Sequence, residues 1–184
     1  ISLKVAPRQV PALSGPGGSG KTTLLTLLGC LARPTRGRVR LRDEDVSGLP
    51  ERFLTEIRRR TFGFVFQQAA LFDSMTIEQN VAFPLRQHTN MGREELKRIV
   101  LQRLAEVGLP DNVGVKKPAE LSGGMRKRVG LARALAMSPE IMLYDEPTTG
   151  LDPIMSDVIN ELILSVRRQH PVTSIVVTHD MHSA

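Results

Sequence analysis

The sequence is short of the residues that mark several classes of protein. Its 184 residues include no tryptophan, one tyrosine and one cysteine, Cys30. A single cysteine cannot form an internal disulfide, and the apolar run before Cys30 predicts a buried thiol in a reducing compartment. Aromatic residues make up only 4% of the chain. This scarcity argues against a surface that stacks the bases of single-stranded nucleic acid.

Long apolar runs are also missing. None approaches the ~20 residues that a membrane-spanning helix requires, and the first ten residues lack the layout of a signal peptide. We therefore expect any role at a membrane to depend on a partner protein. Hydrophobic residues make up 41% and charged residues 24% of the sequence. These values are ordinary for a globular protein, and the length suits one domain with a sizeable core.

The net charge of +6 is concentrated near the start of the chain. Residues 1–60 carry 12 lysine and arginine residues against 5 acidic ones, whereas residues 61–184 carry 13 against 14. A basic segment is typical of a surface that meets nucleic acid or anionic lipid. An arginine-rich surface that faces only solvent is the simpler interpretation. We expect no nucleic-acid partner.

Hydrophobic patterning predicts an α/β fold with a parallel sheet. The predicted helices are 21–31, 91–109, 122–137 and 153–169, and the predicted strands are 38–41, 62–67, 141–144 and 173–180. Helical character begins at Thr76. The order of elements predicts a single domain, 1–184, in which an α-helical segment, 70–137, is inserted into an α/β core formed by 1–69 and 138–184.

The most specific motif is "GPGGSGKT" at residues 15–22, which matches the phosphate-loop pattern G-x-x-x-x-G-K-[ST]. Glycines let backbone N–H groups curl around phosphate oxygens without a Cβ clash. Lys21 adds a positive charge, and Thr22 offers a hydroxyl to Mg²⁺. The predicted nucleotide-binding residues here are Gly15, Pro16, Gly17, Gly18, Ser19, Gly20, Lys21, Thr22 and Thr23.

Polar residues that follow predicted strands supply the remaining candidates. The carboxyl ends of parallel strands face the ligand crevice, so Asp145 is predicted to hold Mg²⁺ and Glu146 to act as general base. Gln67 ends another strand and could contact Mg²⁺ or the attacking water, with Gln68 as a competitor. His179 ends the last strand and could hydrogen-bond the γ-phosphate, or it could have no role.

A second anion-binding motif, "LSGGM", occupies residues 121–125. Ser122 is predicted to cap a helix, and a serine with two glycines at a helix N-terminus suits an anion. No lysine follows these glycines. The motif is therefore predicted to be unable to hold a triphosphate alone.

In this order the motifs resemble the ATP-binding cassette family, the nucleotide-binding domain of ABC transporters. The resemblance implies a head-to-tail dimer of cassettes that binds ATP and Mg²⁺. Each ATP would lie between the phosphate loop of one cassette and Ser122, Gly123 and Gly124 of the other. The "GLD" loop at 150–152 would communicate across the dimer, and the stretch after Gln67 would face an integral membrane permease.

A closer resemblance covers residues 64–90 and 121–184. These look like the ATPase of bacterial phospholipid transporters of the maintenance-of-lipid-asymmetry type. That resemblance implies a lipid-binding partner with a mammalian-cell-entry domain, and a location on the cytoplasmic face of the bacterial inner membrane. The family's adenine-stacking aromatic is absent from residues 1–14, and the chain stops at "THDMHSA". The sequence thus resembles a cassette trimmed at both ends.

The sequence therefore predicts an ATP-hydrolysing subunit that powers transport of a phospholipid or a similar hydrophobic substrate. Two alternatives stay open. One is a cassette ATPase that acts on nucleic acid or ribosomes, although only about a hundred residues separate Lys21 from Ser122 and no heptad run lies between them. The other is a cassette that binds nucleotide without turnover.

Overall fold

A four-stranded parallel sheet lies at the centre of the computed structural model, which describes residues 2–178. The strand order is β1-β6-β5-β4. These strands are β1 Ala12–Ser14, β4 Phe62–Val65, β5 Ile141–Asp145 and β6 Thr173–Thr178. A separate antiparallel ribbon pairs β2 Arg40–Leu41 with β3 Glu44–Asp45.

Six helices are found within the described residues. They are α1 Lys21–Leu28, α2 Glu51–Thr61, α3 Ile77–His88, α4 Arg93–Glu106, α5 Gly123–Leu135 and α6 Pro153–Gln169. Short 3₁₀ turns at Asp111–Val113 and Pro118–Glu120 join α4 to α5. Helices α3, α4 and α5 follow β4, precede β5 and pack on one another. None of the helices in residues 2–178 is long and apolar enough to cross a membrane.

Side chains of the strands alternate between two apolar layers. Met142 and Tyr144 of β5 face the layer formed with α3 to α6, whereas Leu143 faces the layer formed with α1 and α2. Each of these three side chains is completely buried. A parallel sheet covered on both faces requires such continuous apolar strands, which explains why "IMLY" has no polar face.

Local sequence signals set the ends of the helices. Thr76 and Gln79 form a capping box at α3, and Asp152 caps α6 by accepting a hydrogen bond from the Met155 N–H at 3.0 Å. Gly29 ends α1 where the helix meets the sheet. A Cβ there would clash with the Phe64 ring and lie 2.7 Å from Leu143 Cδ1. Only glycine therefore allows α1 to approach β4 and β5 this closely.

The structure corrects three details of the predicted elements. The helix predicted at 21–31 stops at Leu28, because Gly29 follows and Cys30 has a left-handed φ of 57°. The strand predicted at 38–41 is reduced to Arg40–Leu41 and belongs to the ribbon instead of the main sheet. Helix α2 was not predicted. Most residues of α2 are charged or polar, so its few apolar residues, which include the buried Leu54, give little sign of a helix in the sequence.

Candidate functional site

The loop between β1 and α1 forms a cradle beside the sheet. A cavity of about 210 Å³ is lined by Gly17, Gly18, Gly20, Lys21, Thr22, Thr23 and Glu146. Gly18 and Gly20 have φ values of 75° and 87°, a backbone conformation that glycine adopts at little cost. Helix α1 begins at this loop and has no acidic residue in its first turn. Its N-terminal dipole therefore adds to the positive character of the cradle.

The Lys21 side chain extends along the cradle and hydrogen-bonds to its backbone. Its Nζ donates hydrogen bonds to the carbonyl oxygens of Gly15 at 2.7 Å and Pro16 at 3.0 Å. The Ser19 N–H donates to the Pro16 carbonyl at 3.3 Å, which closes a turn inside the loop. The ammonium group thus lies at the wall of the cavity, where it can meet a phosphate oxygen.

Thr22 and Asp145 meet although 123 residues separate them. The Thr22 hydroxyl donates to Asp145 Oδ1 at 3.0 Å, because β5 ends beside the start of α1. A hydroxyl and a carboxylate are hard oxygen ligands of the kind that Mg²⁺ prefers. Within residues 2–178 no group of three or more His, Cys, Asp or Glu side chains is placed to hold a metal. The two oxygen ligands of Thr22 and Asp145 fit a Mg²⁺ ion that takes its other ligands from phosphate and water.

Glu146 lies at the edge of the cavity in a constrained conformation. Its φ is 46°, a left-handed value that costs a non-glycine residue about 1–2 kcal/mol. Its N–H donates to the Val177 carbonyl at 2.9 Å. Its Oε2 accepts hydrogen bonds from Gln67 Nε2 at 3.2 Å and from Thr149 Oγ1 at 3.0 Å. Two donors from different segments thus orient the carboxylate, which suits a group that must accept a proton in one direction.

Two residues of this site were not predicted from the sequence. Thr149 orients the Glu146 carboxylate from the turn that follows β5, and its spacing of three residues is the signal that could have identified it. Lys127 of α5 donates from Nζ to the Glu146 carbonyl at 3.4 Å. Burial lowers the pKa of Lys127, and the nearby Glu146 opposes that shift. No sequence signal separates Lys127 from Arg126 and Arg128 on either side.

The "LSGG" residues lie apart from the cradle. Ser122 caps α5, because its side chain accepts a hydrogen bond from the Met125 N–H at 3.3 Å. Ser122 and Gly123 are exposed and do not line the cavity of their own chain. Gly124 is buried against α6, where a Cβ would lie 2.5 Å from Met155 Cε. The exposed helix N-terminus is thus free of the chain's own phosphate loop.

The predicted residues therefore fall into three groups. The structure brings the phosphate loop, Asp145, Glu146 and Gln67 together at the carboxyl ends of β4 and β5. It places Ser122 and Gly123 at another surface, with Gly124 buried against α6. His179 lies outside the described residues, so its predicted contact with the γ-phosphate stays a prediction.

A glycine loop at a helix N-terminus, beside an aspartate–glutamate pair at the end of a parallel strand, defines a phosphate-loop nucleotide-binding domain. Residues 1–149 match the family model described as "ABC transporter". The chain belongs to this family, and the predicted ATP-binding cassette is confirmed.

Comparison with individual proteins supports this assignment. The chain is 42% identical to the "Intermembrane phospholipid transport system ATP-binding protein MlaF" of Haemophilus influenzae over 181 residues, which cover 98% of the chain and 68% of the relative. It is 43% identical to the "Probable ribonucleotide transport ATP-binding protein mkl" of Mycobacterium bovis over all 184 residues. It spans only 51% of that relative. The likeness to MlaF confirms the closer resemblance to phospholipid transport ATPases.

A solved structure confirms the fold. The model superposes on the dimeric structure of the ATP-binding cassette MJ0796, in a post-hydrolysis state bound to ADP and Pi, with a TM-score of 0.90. The two sequences are 38% identical, and the match covers 99% of this chain and 79% of the other.

Proposed function

We propose that this chain binds ATP with Mg²⁺ and hydrolyses it as the ATP-binding subunit of an ABC transporter. One observation carries the proposal: the Glu146 carboxylate borders the phosphate cradle and is oriented by Gln67 and Thr149. A domain that only bound nucleotide would need no oriented carboxylate beside the phosphates. Family membership and the ADP-bound neighbour support the same activity.

The residues divide the work as follows. Backbone N–H groups of residues 17–22 and the ammonium of Lys21 hold the phosphates. The Thr22 hydroxyl and the Asp145 carboxylate would hold Mg²⁺, which would supply positive charge beside the phosphate oxygens. Glu146 accepts a proton from the attacking water. Gln67 donates to that carboxylate, so a movement of the loop after β4 would change the position of the base.

A second cassette is the partner that the surface of α5 supports. Ser122 and Gly123 lie exposed at the N-terminus of α5 and outside their own cavity, where the first N–H groups of a helix have no partner within the helix and can bind the phosphates of a neighbouring chain. The neighbour of known structure is dimeric. We therefore propose a head-to-tail dimer in which each ATP is completed by the partner's Ser122, Gly123 and Gly124.

We further propose that the dimer powers a permease that moves phospholipid across or between bacterial membranes. The likeness to MlaF supports this substrate, whereas the name of mkl refers to ribonucleotides at similar identity. The cassette would then work at the cytoplasmic face of the inner membrane, in a complex that includes a mammalian-cell-entry protein. Reconstitution with the permease in liposomes decides the substrate. Phospholipid transfer that depends on ATP supports the proposal, and stimulation by ribonucleotides alone overturns it.

The substitution Glu146→Gln tests the hydrolytic role. The amide keeps the shape of the side chain but cannot accept the proton, so we expect the ATPase rate to fall by about 10²-fold or more. ATP affinity, measured by calorimetry, should stay within about threefold because the phosphate contacts remain. Glu94→Gln, on the exposed face of α4, is the matched control.

Two results would contradict this function. A variant that hydrolyses ATP at the parent rate would remove Glu146 from the reaction. A parent protein that binds ATP tightly and releases no phosphate would favour the alternative of a cassette without turnover.

A further inference from the structure

Lys127 is a buried cation whose position the phosphate chemistry does not explain. It lies on α5, is 9% exposed, and does not line the phosphate cavity. Lysine is rarely buried to this extent unless its ammonium is paired. Its Nζ is directed at Glu146, with a hydrogen bond to the carbonyl oxygen at 3.4 Å. The ammonium therefore donates to the backbone of the proposed base, and its charge also lies near the Glu146 carboxylate that Gln67 and Thr149 hydrogen-bond.

The Glu146 backbone needs such support. Its left-handed φ of 46° is a conformation that persists only where the surroundings fix it. The Thr149 N–H also donates to the Glu146 carbonyl, at 3.2 Å. This bond is neutral and comes from the same turn. Lys127 contributes a charged donor from a different element, at the longer distance of 3.4 Å.

Helix α5 connects this contact to the exposed "LSGG" surface. Ser122 caps the helix, and Lys127 lies five residues further along the same rigid element. A displacement of the helix N-terminus would therefore move the ammonium that holds the Glu146 carbonyl.

We propose that Lys127 is a positioning residue that fixes the Glu146 backbone from α5, so that engagement of the exposed α5 N-terminus acts on the base of the same chain. The inference rests on the proposed role of Glu146. It predicts that Lys127 acts on turnover through Glu146 and has little effect on nucleotide binding. Binding of a phosphate at Ser122 would then change the position of Glu146 in the same cassette.

The test compares Lys127→Met, which removes the charge at similar length, with Lys127→Arg, which keeps a charged donor. We expect Lys127→Met to lower the ATPase kcat by about tenfold, which is less than the roughly 10²–10⁴-fold contribution of a general base because the base is displaced and not removed. KM and ATP affinity should change less than twofold. Lys127→Arg should recover at least half of the lost rate. Lys97→Met, on the exposed side of α4, removes the same side chain elsewhere and should match the parent.

A double-mutant cycle with Glu146→Gln shows whether Lys127 acts through Glu146. Adding Lys127→Met to Glu146→Gln should lower the residual rate by less than twofold. A full tenfold loss in that background, or a parent-like kcat in Lys127→Met alone, overturns the inference.

Other results separate this inference from a purely structural role and from failure of the proposed function. Equal losses of kcat, ATP affinity and thermal stability in Lys127→Met would assign Lys127 to folding and refute the positioning role. If Lys127→Met does not fold, the test compares the kcat of Lys127→Gln with that of Lys127→Arg. The positioning role predicts a reduced kcat for the glutamine variant and a kcat closer to the parent value for the arginine variant. A parent-like rate in Glu146→Gln would instead refute the proposed function itself.

Discussion

A buried ion pair at the end of α4 provides the most quantitative prediction. Arg103 Nη1 donates to both carboxylate oxygens of Glu106, at 2.9 and 2.8 Å. Arg103 Nη2 donates to Ser138 Oγ at 2.8 Å, and His170 Nε2 lies 3.2 Å from Glu106 Oε2. The side chains of Arg103 and Glu106 are only 8% and 12% exposed. The cluster thereby joins α4 to the turn before β5 and to the end of α6.

The substitution Arg103→Met leaves the Glu106 carboxylate buried without its main partner. Removing one member of a buried pair costs about 3–5 kcal/mol, and the remaining contacts of Glu106 to Gln102 and His170 favour the lower value of about 3 kcal/mol. A chain of this size loses roughly 2–4 °C of Tm per kcal/mol. We therefore expect calorimetry or circular dichroism at neutral pH to show a Tm lower by roughly 6–12 °C.

Two variants control this experiment. Arg98→Met lies on the same helix, but Arg98 is 69% exposed and its nearest contact to Glu95 is 4.0 Å, so its cost should be about 0.5 kcal/mol or less. The double variant Arg103→Met with Glu106→Gln removes the unpaired charge and should recover part of the loss. If the free energy of unfolding of Arg103→Met lies within about 1 kcal/mol of the parent value, the prediction is refuted. Such a result would mean that the unpaired Glu106 carboxylate remains well solvated by water or by other groups.

The fall in Tm of Arg103→Met should depend on pH, because it depends on the charge of the Glu106 carboxylate. Burial raises the pKa of this carboxyl, but the hydrogen bonds from Arg103 and Gln102 outweigh burial and hold the pKa below its ordinary value of 4.5. A folded-state pKa below the unfolded one stabilises the protein above the unfolded value, and that stabilisation is lost as the pH falls through the folded value. The Tm difference between parent and Arg103→Met should therefore shrink as the pH falls past the ordinary carboxyl value of 4.5.

The two remaining predictions concern the nucleotide site. Ser122→Arg should leave ATP affinity of the isolated monomer within about threefold, since Ser122 does not line the cavity, while hydrolysis by the dimer falls by about tenfold or more. Ser122→Asn keeps the helix cap as a control, and loss of monomer binding in Ser122→Arg would contradict the shared site. Asp145→Asn should shift the Mg²⁺ titration of ATP binding by about tenfold, whereas Thr22→Ser keeps both oxygen ligands and should not. Equal midpoints would exclude Asp145 as a ligand.

The parts of the site that the sequence predicts are those with a local pattern. The phosphate loop is contiguous, so residues 15–22 identify it without knowledge of the fold. Asp145, Glu146 and Gln67 could be placed because the ends of parallel strands meet at one edge of a sheet. The hydrogen bonds of Thr22 to Asp145 and of Gln67 to Glu146 agree with that placement.

The parts that sequence reasoning missed depend on tertiary contacts. Lys127 differs from Arg126 and Arg128 only in the direction it faces, and that direction is set by how α5 packs against the turn after β5. Helix α2 was missed because its charges outnumber the few apolar residues that it buries. The strand order could not be read from the sequence either, since the pattern marks strands but does not pair them.

The order of the strands has a consequence for synthesis of the protein. Strand β6 is the last strand of the described chain, yet it lies between β1 and β5. Within residues 2–178, β1 pairs only with β6, so the pairing that places the phosphate loop beside Asp145 forms after residues 173–178 have emerged from the ribosome. Nucleotide capture is therefore an event that must follow translation of β6. A nascent cassette that stalls earlier would display apolar strand edges and would have no ATP-dependent route to stabilise them.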